Sequence, residues 1–173
     1  MIFPSRAALL PLLALGACSS SMHPLEAHLD LLRPESITSV AGLDYPAGTL
    51  LCPLTPYQNS VAAAAPEAQR INAFMGRQQY LGEEGTWSLV IIQPGTTGDD
   101  GIEHLLLRRS TFDVINSRES LGKLVEKVPA DFEVLDCVPV EHASVLTTRS
   151  RASQRKVISF GRRHGPMRQA GQG

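Results

Sequence analysis

Apolar positions recur with two different periods along the chain, and each period predicts a kind of element. In HPLEAHLDLLRPES, Leu25, Leu29 and Leu32 fall at helical spacing and Pro34 closes the segment, which predicts a short amphipathic helix. Residues 47–54 (AGTLLCPL) form an apolar run of strand length. After the turn-rich TPYQNS, Ala68, Ile71, Phe74 or Met75, and Gln78 line one side of a helix, with Pro66 near its first turn. Residues 86–93 (TWSLVIIQ) predict a strand with Trp87, Leu89 and Ile91 on one face. PGTTGDDG supplies dense turn signals, and residues 102–109 (IEHLLLRR) return as the second strand of a hairpin. Asn116 is placed as an N-cap with Glu119 reaching back, opening a helix that carries Leu121, Leu124, Val125 and Val128. Residues 132–140 (FEVLDCVPV) complete the set as a strand.

The order is therefore strand, helix, strand, strand, helix, strand. It predicts an α+β fold, a small antiparallel sheet with two main helices, and matches the ferredoxin-like βαββαβ pattern. One detail resists that pattern. The first and last strands are neighbours in such a sheet, yet Cys52 and Cys137 both fall late in their strands, where antiparallel pairing sets late against early. Either the last strand runs on through residues 142–145, or the topology is another α+β sheet.

Charge changes the picture at the C-terminus. The 173 residues are 43% hydrophobic and 19% charged, with a net charge of −1, the composition of one ordinary domain plus extensions. From Cys18 to Thr148 there are 17 acidic residues against 8 Lys and Arg, a balance of −9. From Arg149 onward there are 7 basic residues, Arg162 and Arg163 among them, and no acidic one. With little apolar content beyond Val157, Ile158 and Phe160, this segment predicts a disordered tail, either solvated and resting loosely on the acidic domain or attracted to anionic lipid or an acidic protein face.

The first residues read as an address. Arg6 precedes eleven apolar or small residues, 7–17, interrupted by Pro11. A helix of that length reaches about 16 Å, half of a bilayer core, so a cleaved signal peptide is expected and not a membrane span. Leu15-Gly16-Ala17-Cys18 resembles the lipobox of bacterial lipoproteins: an aliphatic residue, two small residues, then cysteine. The resemblance implies cleavage before Cys18, a diacylglyceryl thioether on its sulfur and acylation of the new amine. Two or three acyl chains hold a protein on a membrane where one does not. In Gram-negative lipoproteins an aspartate after that cysteine favours retention in the inner membrane, so Ser19 resembles the outer-membrane class. The domain plan is a signal peptide at 1–17, a lipidated tether at 18–24, an α+β periplasmic domain at 25–148 and a basic tail at 149–173.

Cys52 and Cys137 remain as an even pair in an exported chain, and a structural disulfide is expected. No two of the five histidines sit at H-x-H or H-x-x-x-H spacing, and there is no G-x-S-x-G elbow, S-x-x-K or phosphate loop. No metal or cofactor is therefore expected. Asp99, Asp100 and Glu103 surround a hairpin turn without the alternating ligand spacing of an EF-hand. Tyr57, which follows Pro53 and Pro56, is a candidate contact in an extended loop, with Arg162 and Arg163 as basic candidates in the tail. The functional expectation is a non-enzymatic binding or assembly accessory of the outer membrane, facing the periplasm. Its partner would be another envelope protein or anionic lipid, and nucleic acid is a poor partner for an exported chain. An envelope hydrolase with a dispersed site around His104 or His142 is the alternative.

Overall fold

The computed structural model describes residues 22–109 and 112–165. The expected signal peptide, the expected lipid attachment at Cys18 and the end of the basic segment (166–173) lie outside the described residues. The described chain runs α1 (Pro24–Leu31), β1 (Ser36–Ser39), β2 (Leu50–Leu54), α2 (Ala68–Arg77), β3 (Thr86–Ile92), β4 (Ile102–Arg108), β5 (Asp113–Val114), α3 (Arg118–Leu124), β6 (Phe132–Val134), β7 (Val138–Pro139), a 3₁₀ turn (Val140–His142), β8 (Ser144–Arg149) and β9 (Lys156–Arg163). The fold is α+β with two sheets. One has the order β4-β3-β2-β7; the other has the order β1-β8-β9-β5, with β6 also paired to β9. All pairings are antiparallel except the two-residue parallel contact of β5 with β9.

Side-chain alternation along these strands generates four layers. Leu51, Trp87, Leu89 and Ile91 of the first sheet share a core with Val145, Ile158 and Phe160 of the second, closed by Leu25 and Leu29 of α1. The opposite face of the first sheet (Cys52, Leu54, Val90, Ile92) packs on Ala68, Ile71, Phe74 and Met75 of α2. The opposite face of the second (Leu146, Val157) packs on Leu121 of α3, with Val125 and Phe132 beside it. Each strand with apolar residues on both faces is thus the interior of a helix-sheet-sheet-helix stack, the expected outcome when period-2 alternation is apolar on both sides.

Cys52 and Cys137 are joined by a disulfide, their Cα atoms 4.2 Å apart. The register difficulty resolves because the expected strand over 132–140 is two strands. β6 joins the second sheet against β9, whereas β7 joins the first against β2 with Leu51 opposite Val138, so Cys137 stands before β7 and meets Cys52. The ferredoxin-like order does not form: β2 is hydrogen-bonded to β3, where that pattern would separate them, and the strands lie in two sheets.

The largest correction concerns residues 149–173. A disordered tail was expected from Arg149 onward, but residues 156–163 form β9, the strand that pairs with β5, β6 and β8. Val157, Ile158 and Phe160 are fully or almost fully buried. Net charge misleads here because the basic residues sit at the ends of the strand, leaving an apolar centre. Lys156 donates to the Leu29 and Asp30 carbonyls at 3.2 and 2.7 Å, satisfying the C-terminal end of α1. Gly161 is required where β9 passes between β8 and β6: a Cβ there would lie 1.9 Å from the Glu133 carbonyl oxygen. A smaller correction falls at α3, whose N-cap is Ser117 and not Asn116; the Ser117 hydroxyl accepts from the Ser120 amide at 3.1 Å.

Candidate functional site

The site begins with a turn. Pro56 fixes its own φ, and the Gln58 amide donates to the Thr55 carbonyl at 3.0 Å, so Thr55-Pro56-Tyr57-Gln58 is a β-turn with proline second. Tyr57, third, has φ +65°, the conformation of a type II turn that glycine or asparagine normally fills. A bulky side chain there costs roughly 1–2 kcal/mol. The expected extended loop is therefore a sharp turn, and the strain presents the Tyr57 ring outward at 63% exposure. Gly82 packs on the Tyr57 backbone so closely that a Cβ would approach it to 2.7 Å.

The turn is pinned through Gln58. The Gln58 side-chain oxygen accepts from the Thr55 amide at 3.0 Å and from the Asn116 amide nitrogen at 2.8 Å, tying the turn to the segment before α3. Partial desolvation, then the nearby Glu84 carboxylate, push the Tyr57 phenol above its ordinary range. Arg109 reaches the Glu84 carbonyl from the other side at 3.5 Å.

Beside the turn lies a cleft of about 350 Å³ lined by Thr55, Pro56, Asn116, Ser120 and Ser153, with Arg109 and Asp113 in its wall. Arg109, at the end of β4, donates to one oxygen of the Asp113 carboxylate at 2.5 Å, and Arg155 approaches the other at 3.5 Å. Arg155 also donates to the Arg109 carbonyl. Asp113 is 17% exposed while the guanidiniums are 38% and 41% exposed, so the carboxylate sits deepest and two cations face outward over it. The cluster carries a net charge of +1 from two cations and one anion. The cleft's volume falls in the range of small-molecule sites, and its lining sets hydroxyl and amide groups beside the apolar side chains of Val114, Ile115, Leu124 and Val157. In the cleft itself the charged groups are Arg109 and Asp113, paired with each other, beside hydroxyl, amide and aliphatic side chains.

The other expected contacts fare differently. Arg162 and Arg163 are not free: they donate to Glu133 at 2.6 Å and Asp131 at 2.7 Å across the β6–β9 pairing, with His164 3.0 Å from Glu133. Those guanidinium hydrogen bonds hold both carboxyls below their usual range. His104 packs edge-on against Tyr80, 4.7 Å between ring centres, and burial lowers its pKa. Among the described residues neither His104 nor His142 hydrogen-bonds a serine or a carboxylate, and no group of three His, Cys, Asp or Glu side chains is placed to hold a metal ion. Arg77 engages Asp99, and Arg70 donates to the Gly98 and Asp100 carbonyls, so guanidiniums of α2 clamp the acidic hairpin. No helix among the described residues is long and apolar enough to cross a membrane.

Sequence reasoning passed over Arg109, Asp113 and Arg155. One signal was present: Asp113 interrupts the apolar run in FDVI, a position where a carboxylate needs partners once buried. That Arg155 would supply one was not legible, since it enters from a segment whose composition predicts disorder. Comparison with protein families, with curated proteins and with solved structures finds no match to this chain.

Proposed function

We propose that this protein is a lipid-anchored envelope protein of the outer membrane, facing the periplasm, whose disulfide-stapled domain binds another envelope component without catalysing a reaction on it. The observation that carries the reading is the Leu15-Gly16-Ala17-Cys18 motif set only five residues ahead of α1. Those residues span at most about 18 Å when extended, so an acylated Cys18 would hold the folded domain close to the headgroups. The first turn of α1 is itself buried in the inter-sheet core through Leu25, and its far end is gripped by Lys156, so the tether leads directly into the rigid body. Ser19 supports the outer-membrane destination.

Between the two partner classes, a protein or other envelope component is the better supported. Arg162 and Arg163, the donors that an anionic lipid surface would use, are already engaged by Glu133 and Asp131. Metabolic labelling with an alkyne palmitate analogue tests the anchor. The wild-type chain should label and Cys18→Ala should not; equal labelling of both overturns the reading. Ser19→Asp should move the labelled protein toward the inner-membrane fraction.

A further inference from the structure

We infer that β4 is a docking edge for a second copy of this chain: two β4 strands pair antiparallel about a two-fold axis and join two β4-β3-β2-β7 sheets into one. The inference goes beyond the binding role proposed above and stands on β4 itself.

Among the described residues β4 is the long open edge of the fold. It pairs with β3 residue for residue over Ile102–Arg108, without a bulge, and no strand lies on its other side. The remaining edges are blunted. β5, β6 and β7 have two or three residues each, β7 ends on Pro139, and β1 has four residues, three of them Ser or Thr. A long, flat edge without Pro or Lys is the kind that captures another strand. Its side chains are suited to that: Leu106 is 58% exposed, and Leu81, 77% exposed, follows Tyr80, which packs on His104 on the same face of the strand.

The ladder to β3 determines which backbone groups are free. At its two ends the Arg109 amide donates to the Gly85 carbonyl at 3.0 Å and the Gln93 amide to the Gly101 carbonyl at 2.9 Å. Antiparallel bonds alternate, so Glu103, Leu105 and Leu107 turn their amides and carbonyls to β3, while His104, Leu106 and Arg108 turn theirs outward. A two-fold axis at Leu106 sets that residue opposite Leu106 of the second copy, and His104 opposite Arg108 of the second copy. Every outward donor and acceptor of these three residues then has a partner. Moving the axis to Leu105 or His104 sets an outward residue against Ile102, whose amide already donates to the Asp99 carbonyl at 3.1 Å. On the other face, the favoured register places Glu103 opposite Arg109 of the second copy, a pair of opposite charges. Burial lowers the His104 pKa, so no charge opposes Arg108 across the pair at neutral pH.

A second copy fits this edge better than an unrelated strand because β4 is complementary to itself, as an isologous contact requires. The tether agrees. Glu103 lies on the face that carries Leu107 into the inter-sheet core, and the His23 ring at the start of α1 stands 3.5 Å from its carboxylate. A two-fold axis perpendicular to the sheet does not exchange the sheet's faces. Both N-terminal tethers therefore leave on one side of the joined sheet, and two anchors at Cys18 can enter one membrane.

Sedimentation equilibrium of the full-length chain in density-matched detergent should give the mass of two chains. Leu106→Asp should weaken the dimer at least tenfold and leave the melting temperature unchanged, because the side chain is exposed in the single copy. A one-chain mass for the wild type at the highest concentration reached, or a Leu106→Asp chain that dimerises as well as the wild type, overturns the proposal. Leu106→Cys treated with a short bismaleimide should yield residue 106 linked to residue 106 by mass spectrometry, whereas Ser39→Cys, at the exposed end of the β1 edge, should yield no link to itself. Residue 106 linked to a different protein instead, or residue 39 linked to itself as efficiently, also overturns it. None of these readouts needs acylation of Cys18, so a failed anchor and a failed docking edge are told apart.

Discussion

The two sheets are built from different kinds of sequence. The sheet of β2, β3, β4 and β7 has a seven-residue hairpin at one side, β3 against the edge strand β4, in which each residue from Thr86 to Ile92 faces a partner from Arg108 to Ile102. The sheet of β1, β5, β6, β8 and β9 gathers short pieces from across the chain, with Ser36 opposite Thr147 and Phe132 opposite Arg163. The first sheet announces itself through long apolar runs and turn signals. The second depends on β9, whose centre is apolar but whose ends carry Arg155, Lys156, Arg162 and Arg163. Local net charge is thus a poor guide to burial when the charges lie at the ends of a strand and each has a partner.

If the second sheet depends on β9 as its topology requires, removing residues 149–173 should have a larger effect than any single substitution. Val157, Ile158 and Phe160 alone contribute about 5–9 kcal/mol by burial, comparable to a whole domain's stability. Truncation after Thr148 should abolish the cooperative thermal transition seen by circular dichroism. A truncated chain that melts at the wild-type temperature would show that β9 is dispensable and that the first sheet folds unaided.

How much was legible follows the same division. The leucines of α1, the inward face Trp87-Leu89-Ile91, the hairpin and the Cys52–Cys137 pair follow from local period, turn chemistry and cysteine parity. β1 and β5 are too short to carry a period, and the break between β6 and β7 lies inside a run, FEVLDCVPV, that looks continuous because both pieces are buried. The candidate site was half visible: Tyr57 stood out as an aromatic following two prolines, but the Arg109–Asp113–Arg155 cluster depends on contacts 46 residues apart, such as Arg155 with the Arg109 carbonyl.

The disulfide sharpens the comparison from the other side, because both of its cysteines serve the first sheet. It closes a loop with a sequence separation of 85, for which chain entropy gives roughly 4–5 kcal/mol. Cys52→Ala should therefore lower the melting temperature strongly, by less than the loss of β9, and reductant should have the same effect on the wild type alone. Intact mass after thiol alkylation, with and without reductant, checks the bond itself: two thiols alkylated without reductant would refute it.

The smallest effect is a difference in pH window between the sheets. On the first sheet, burial depresses His104 below its ordinary value of 6.5, its Tyr80 neighbour offering no charge to offset protonation. As pH falls the unfolded chain takes up this proton first, so the stability is present above about pH 6.5 and declines as acid drives through the lower folded value. On the second sheet, guanidinium hydrogen bonds depress Asp131 and Glu133. The sign is the same but the window is lower: the unfolded carboxyls protonate first, and stability drains away only below about pH 4.5. His104→Gln should flatten the dependence between pH 7 and 5.5 and leave the acid limb alone. The Arg162→Gln, Arg163→Gln pair should do the reverse, and added salt should weaken only that second limb, because these ion pairs are exposed and readily screened. Thermal melts across pH 3 to 7.5 at low and high salt read both limbs in one series; a salt-insensitive acid limb would mean that the β6–β9 ion pairs do not form in solution.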